Sequence, residues 1–201
     1  MTRILLVRHG HVEGISPERF RGRRDIDLSD LGGRQAHATA QRLAGQWRPV
    51  AIYTSPLRRC LQTAGAIGTA CGLEATVLDD LNDLHYGEWE WHTHEEVRAR
   101  WPELFECWFA APQLVRFPQG ESLQDLLARM ANVLRFVRER HADQTVVLVG
   151  HSSGNRALLL HTLDQPLSAY WRLAQDACSV SVIELHARTA TVRRLNEIYY
   201  S

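Results

Sequence analysis

The chain has 201 residues, 45% hydrophobic and 23% charged, an ordinary composition for one soluble domain with a full-sized core. Its 23 Lys and Arg balance its 23 Asp and Glu. A broad electrostatic grip on nucleic acid or an anionic membrane is thereby excluded as its main business, and any anion must be held by a few placed residues. The apolar run Ile4–Val7 ends at Arg8 and is too short for a signal segment or a membrane span. Four cysteines stand singly at positions 60, 71, 107 and 178, with no Cys-x-x-Cys. That usage reads as reduced thiols in a cytoplasmic protein.

In chain order, residues 2–7 form a short branched run that suits a strand buried on both faces. Ser29 can cap a helix from Asp30 to about Gln46, with Asp30 in the favourable first turn. A second strand follows at 51–54. Pro56 can open a helix to about Cys71, stopped by Gly72, and a weaker strand spans 75–78. Residues 79–119 break the rhythm with four of the six tryptophans and three prolines. They read as a cap carrying short helices near 95–100 and 103–110. Ser122 and Asp125 resemble a capping box, opening a helix to about His141 with Leu123, Leu126, Leu127, Met130, Val133, Leu134 and Val137 at helical spacing. A strand at 145–149 turns through Gly150-His151-Ser152-Ser153-Gly154 into a helix to Leu163. Two final segments, 179–185 and 191–195, read as a closing strand pair. Strands alternate with helices, so the class is α/β, a three-layer sandwich on a mainly parallel sheet, and one domain over 1–201 with an inserted cap at about 79–119.

The two strongest strands end alike, Leu5-Leu6-Val7 in Arg8-His9-Gly10 and Val147-Leu148-Val149 in Gly150-His151-Ser152. Ligands of open parallel sheets bind outside the carboxyl ends of strands, where strand order reverses. His9 and His151 are therefore candidates to face one another across such a crevice; each could instead simply cap its strand. Arg8, Arg19, Arg21, Arg23, Arg24, Arg58 and Arg59 form a basic set nearby. Arginine forks suit phosphate, and helix N-termini add backbone donors.

Leu6-Val7-Arg8-His9-Gly10 resembles the signature of the histidine phosphatase superfamily, the phosphoglycerate mutase-like enzymes. The resemblance continues through Arg19-Phe20-Arg21-Gly22, Ser55-Pro56-Leu57-Arg58-Arg59, Asp83-Leu84-His85-Tyr86-Gly87-Glu88-Trp89-Glu90, Gly120-Glu121-Ser122 and Gly150-His151, in the family's order and over essentially the whole chain. Departures fall at His11-Val12, where Glu and then Thr or Ser are common, at Ile15 for Asn, at Asp83 for Glu, at Trp91 for Gly, and at Ser152 for Gly. Some segments are similar to α-ribazole phosphatases and others to phosphoserine or broadly specific phosphatases of the small bacterial branch.

The resemblance implies a phosphoglycerate mutase-like fold and hydrolysis of a small phosphate monoester through phosphohistidine, without cofactor or metal. His9 would be the nucleophile, with Arg8, Arg59 and a protonated His151 on the phosphoryl oxygens, and Arg21 and Ser152 as further donors. Asp83 occupies the acid position. An aspartate is ordinarily ionised at neutral pH, so it needs burial or a neighbouring phosphate dianion to hold a proton; Glu88 and Glu90 are the substitutes. The pairs His92/His94 and His9/His11 have spacings seen in metal sites, without evident further ligands. No nucleic-acid or membrane partner is expected, and a homodimer stays open. A cofactor-dependent phosphoglycerate mutase and a non-catalytic phospho-ligand binding protein are the competing readings. The acidic balance of residues 79–119 speaks against a second phosphate site and hence against the mutase.

Overall fold

The computed structural model describes residues 1–13, 18–187 and 189–200; Ile15 lies outside them. Six strands build one sheet: β1 (Thr2–Arg8), β2 (Ala51–Thr54), β3 (Ala75–Val77), β4 (Thr145–Gly150), β5 (Val180–Leu185) and β6 (Ala190–Glu197). Their spatial order is β3-β2-β4-β1-β5-β6. The pairs β3/β2, β2/β4 and β4/β1 are parallel, whereas β5 runs antiparallel to β1 and to β6. The sheet is thus mixed, its site-bearing half parallel.

Side chains of β1 alternate into two cores, which is why its sequence reads as an unbroken apolar run. Leu5 and Val7 meet Ala40 and Leu43 of helix α1 (Asp30–Gln46), and Ala64 and Ile67 of helix α2 (Arg58–Cys71). Ile4 and Leu6 face the other way, toward Leu126, Met130 and Val133 of α5 (Leu123–Arg140) and Leu158 of α6 (Ser152–Thr162). The cap contributes α3 (His94–Arg100) and α4 (Pro102–Ala110). Its Trp89 and Trp108 are fully buried and share one continuous core with α5 and α6.

The capping expectations hold at Ser29, whose side chain accepts from the Gly32 N–H, and at Ser122–Asp125, a complete capping box. A second capping box, Thr93–Glu96, opens α3. Helix α2 starts at Arg58, two residues after the expected Pro56. Leu57 stays extended, and the helix entrance is closed from outside, where Asp25 Oδ1 accepts the Arg58 N–H at 2.7 Å. Gly72 ends α2 in the left-handed conformation, as a glycine stop does. Strands β1 and β4 each run one residue past their expected ends, to Arg8 and Gly150. Among the described residues no helix is long and apolar enough to cross a membrane.

The topology fixes where a ligand can sit. From β1 the chain leaves toward β2, and from β4 it leaves toward β5 on the opposite side, so the reversal lies between the two central strands. Arg8 and Gly150 are register partners, and the His9 N–H donates to the Gly150 carbonyl at 3.0 Å. The two strands end level, and the residue after each is a histidine.

Candidate active site

At that level the His9 and His151 rings lie with centroids 5.2 Å apart, inclined at 62°. They are 3% and 1% exposed, too buried for ordinary strand-end caps. His9 Nδ1 lies 2.7 Å from the Gly10 carbonyl. A carbonyl only accepts, so Nδ1 carries the proton and Nε2 keeps its lone pair. Burial, then the His151 ring and the Arg59 and Arg8 charges, hold His9 well below the usual imidazole range. Burial and these charges thus favour the neutral ring. Gly10 has to be glycine here, because a Cβ would stand 2.6 Å from the Gly32 carbonyl where the loop presses on the first turn of α1.

His151 caps the N-terminus of α6. Its Nε2 lies 2.8 Å from Ser55 Oγ, and its Nδ1 lies 3.4 Å from Asp83 Oδ2. Burial, followed by the Arg59 and Arg8 charges, also lowers His151 well below the usual range. A protonated His151, as the sequence reading has it, therefore needs an anion beside the ring to offset that burial.

Arg59 is fully buried. It donates to the carbonyls of Arg24 and Gly22, each at 2.7 Å, and to Asp83 Oδ2 at 3.0 Å. Asp83 Oδ1 accepts the Leu84 N–H at 2.9 Å and a short bond from the Ser153 hydroxyl. Arg8 donates to the Gln175 carbonyl, and burial, then Arg21 and Arg156, push its guanidinium down to about 10. Burial is the first cause of that lowering, and the neighbouring cations add to it. Arg8 Nε, Arg21 Nη1 and Arg59 Nε are all buried without an acceptor among the described residues. Unmatched buried donors are costly, and three on neighbouring arginines point to an anion.

A pocket of about 330 Å³ adjoins this group, although His9, Arg59 and His151 are not among its lining residues. Arg8, Arg21, Asp83 and Ser152 line it, together with Arg19. Its apolar lining is Phe20, Tyr86, Trp108, Phe109 and Trp171. Other members of the basic set are spent elsewhere. Arg58 pairs with Asp25 and Asp27, Arg24 stacks on Trp91 at 5.1 Å, and Arg23 binds Glu121. Glu88 is exposed and Glu90 accepts the Arg23 N–H, and neither lines the pocket. His92 turns to Glu96, His94 stacks on Phe20, and His11 meets Ser29; among the described residues no three His, Cys, Asp or Glu side chains converge as metal ligands. Cys60 and Cys178 are buried, and burial pushes their thiols up, Cys178 to about 12. They are packed thiols, not nucleophiles.

Two points were not legible beforehand. Of the acidic residues in 79–119 only Asp83 lines the pocket, so the acidity of the cap says nothing about a second phosphate site. Arg156, with Gln175, also lines the pocket and was missed. It lies four residues after Ser152 on α6, on the same helix face, and that spacing could have found it.

The sequence profile of the histidine phosphatase superfamily (branch 1) matches residues 4–198. Phosphoserine phosphatase 1 of Hydrogenobacter thermophilus is 38% identical over 196 residues, covering 98% of this chain and 92% of that protein. The structure is similar to YhfR of Bacillus stearothermophilus, with a TM-score of 0.93 at 29% identity over 98% of both chains. It is also similar to a mycobacterial glucosyl-3-phosphoglycerate phosphatase complexed with VO3, with a TM-score of 0.88 at 29% identity, covering 96% of this chain and 98% of that one. With that profile matched over residues 4–198 and a relative 38% identical almost end to end, the chain belongs to the histidine phosphatase superfamily (branch 1), and the protein is a phosphatase of that family.

Proposed function

We propose that the enzyme hydrolyses its monoester in two steps through phosphohistidine at His9. In the first, the Nε2 lone pair attacks phosphorus, the N–P bond forms, and the P–O bond to the leaving group breaks. Asp83 gives the departing alkoxide its proton. In the second, water attacks phosphorus, its proton passes to the Asp83 carboxylate, and the N–P bond breaks to release phosphate. Arg8, Arg59, Arg21 and the N–H groups that open α6 at Ser152 hold the equatorial oxygens. Phosphate entry draws Arg59 from Asp83 and sets a dianion beside both Asp83 and His151, which favours their protonated forms. The arginines supply the charge a metal ion would otherwise provide. The observation that carries the reading is the His9 tautomer, with Nδ1 tied to Gly10 and Nε2 free beside unmatched guanidinium donors.

For the leaving group we propose a carboxylate-bearing alcohol, as in phosphoserine. Arg156 supports this. Its Nε donates to the Leu173 carbonyl at 2.7 Å and its guanidinium stacks on Tyr170 and Trp171, at 5.3 and 5.1 Å, which adds a rigid cation to those around His9. The first relative described above is named for phosphoserine. The test is phosphate release, with and without EDTA, from phosphoserine, glycerol 3-phosphate, 3-phosphoglycerate and p-nitrophenyl phosphate. Unchanged rates in EDTA and a preference for phosphoserine over glycerol phosphate are expected. Activity that is lost in EDTA and returns with zinc would overturn the metal-free step. Isomer formation from 3-phosphoglycerate and 2,3-bisphosphoglycerate that outruns phosphate release would make the protein a mutase.

A further inference from the structure

Gly120-Glu121-Ser122, one of the segments that resemble the family, takes no part in the chemistry above. Its carboxylate lies at the centre of a partly buried ion cluster. Glu121 Oε1 accepts from Arg23 Nη2 at 2.8 Å and from Arg129 Nε at 3.0 Å; Oε2 accepts from Arg129 Nη2 at 2.9 Å and from the His85 N–H at 3.0 Å. Both arginines then reach the main chain that carries Asp83. Arg129 donates to the carbonyls of Asp80, Asn82 and Asp83, at 2.7, 3.0 and 3.3 Å, and Arg23 Nε to the Asp83 carbonyl at 3.2 Å. The Glu121 N–H closes the loop on the His85 carbonyl at 2.9 Å. Gly120 permits this approach, since a Cβ there would stand 2.4 Å from the same carbonyl.

We infer that Glu121 is a positioning residue for the proton donor. Held between Arg23 and Arg129, it fixes residues 80–85 as one rigid piece, so that the Asp83 carboxyl stands over the leaving-group oxygen. The inference rests on the reading of Asp83 as proton donor. Three segments distant in sequence meet here: the 19–24 loop, the 80–85 loop and α5. Without the carboxylate, two guanidinium groups would face each other and their hold on the Asp83 carbonyl would slacken. Burial alone would raise the Glu121 carboxyl, but the hydrogen bonds from Arg129 and the His85 N–H, with the Arg129 and Arg23 charges, hold it below the usual range. The contacts of the clamp thus favour the ionised carboxylate. A misplacement of about 1 Å in a catalytic group costs on the order of a hundredfold in rate, so the expected loss is large yet selective.

The experiment measures phosphoenzyme formation by rapid quench. It compares p-nitrophenyl phosphate, whose leaving group needs little protonation, with the fastest alkyl ester among phosphoserine, 3-phosphoglycerate and glycerol 3-phosphate. Glu121→Gln is expected to slow the alkyl ester tenfold or more relative to p-nitrophenyl phosphate, with half-saturating concentrations changed little. Arg23→Gln should show the same selectivity, smaller, and carries the test if Glu121→Gln does not fold. Asp83→Asn with Glu121→Gln should be no more selective than Asp83→Asn alone. Equal slowing of both esters by the clamp variants, or added selectivity in the double variant, would overturn the inference. If Asp83→Asn itself shows no selectivity while Glu121→Gln does, the proton-donor reading has failed and Glu121 acts by another route.

Discussion

Replacing Arg59 by Met removes the guanidinium while keeping much of the buried volume. The structure gives the cost in parts. Arg59 is fully buried and Asp83 nearly so, at 8% exposure. Losing one partner of a buried pair typically costs about 3–5 kcal/mol. The Ser153 and Leu84 bonds to Asp83 Oδ1 remain, so the loss should lie near the lower end, about 3 kcal/mol, or roughly 6–12 °C in Tm for a chain of this size. Part of that cost is the unpaired carboxylate and part is the released carbonyls of Gly22 and Arg24. Adding Asp83→Asn should therefore return about 1–2 kcal/mol, because the carboxylate that lost its Arg59 partner is then replaced by a neutral amide. Turnover cannot be restored in this way, since a donor to the phosphoryl oxygens is gone; a loss of about 10²–10³ in kcat is expected. Thermal and urea unfolding of the two single variants and the double variant test the argument. A cost below about 1 kcal/mol for Arg59→Met, or a double variant less stable than the single, would refute it.

Two further predictions follow from the same geometry. His9 and His151 are buried neutral, with burial the first cause of each lowering. The unfolded chain takes up protons near pH 6.5 that the folded chain resists, so stability is full above that pH and falls below it, by up to about 1.4 kcal/mol per pH unit for each histidine. Denaturant titrations between pH 7.5 and 5.5 should show that slope, and His151→Asn should reduce it; a flat profile would mean that the rings ionise in place. Separately, Asp83→Asn should slow phosphoenzyme formation from alkyl phosphates far more than from p-nitrophenyl phosphate, and equal losses would reduce Asp83 to a positioning role.

Reading the chain alone reached the strands and helices well because both signals are local. Leu5 and Val7 alternate with Ile4 and Leu6 between two cores, and Ser29 and Ser122 cap the helices that follow them. The strand ends at His9 and His151 marked the two as candidates to face one another, and the adjacency of β1 and β4, with Arg8 opposite Gly150, brings the rings together. What stayed hidden depends on contacts between distant segments. Asp25 closes the entrance of α2 across 33 residues, and Arg59 is held by the distant carbonyls of Gly22 and Arg24. Charge counting over 79–119 misled for the same reason, since composition carries no direction and of those acids only Asp83 turns inward. The environment of His151 was likewise out of reach, because burial and the charges of Arg8, Arg21, Arg59 and Arg129, from four separate parts of the chain, act on it together.

The account stands on transfer of the phosphoryl group to His9, and the direct measurement is to trap that intermediate. Enzyme mixed with labelled substrate and quenched within a turnover should carry an acid-labile, base-stable label that peptide mapping places on Nε2 of His9. His9→Ala should fold, bind inorganic phosphate and take up no label. Label on a serine, a cysteine or His151, or turnover that survives in His9→Ala, would contradict the mechanism.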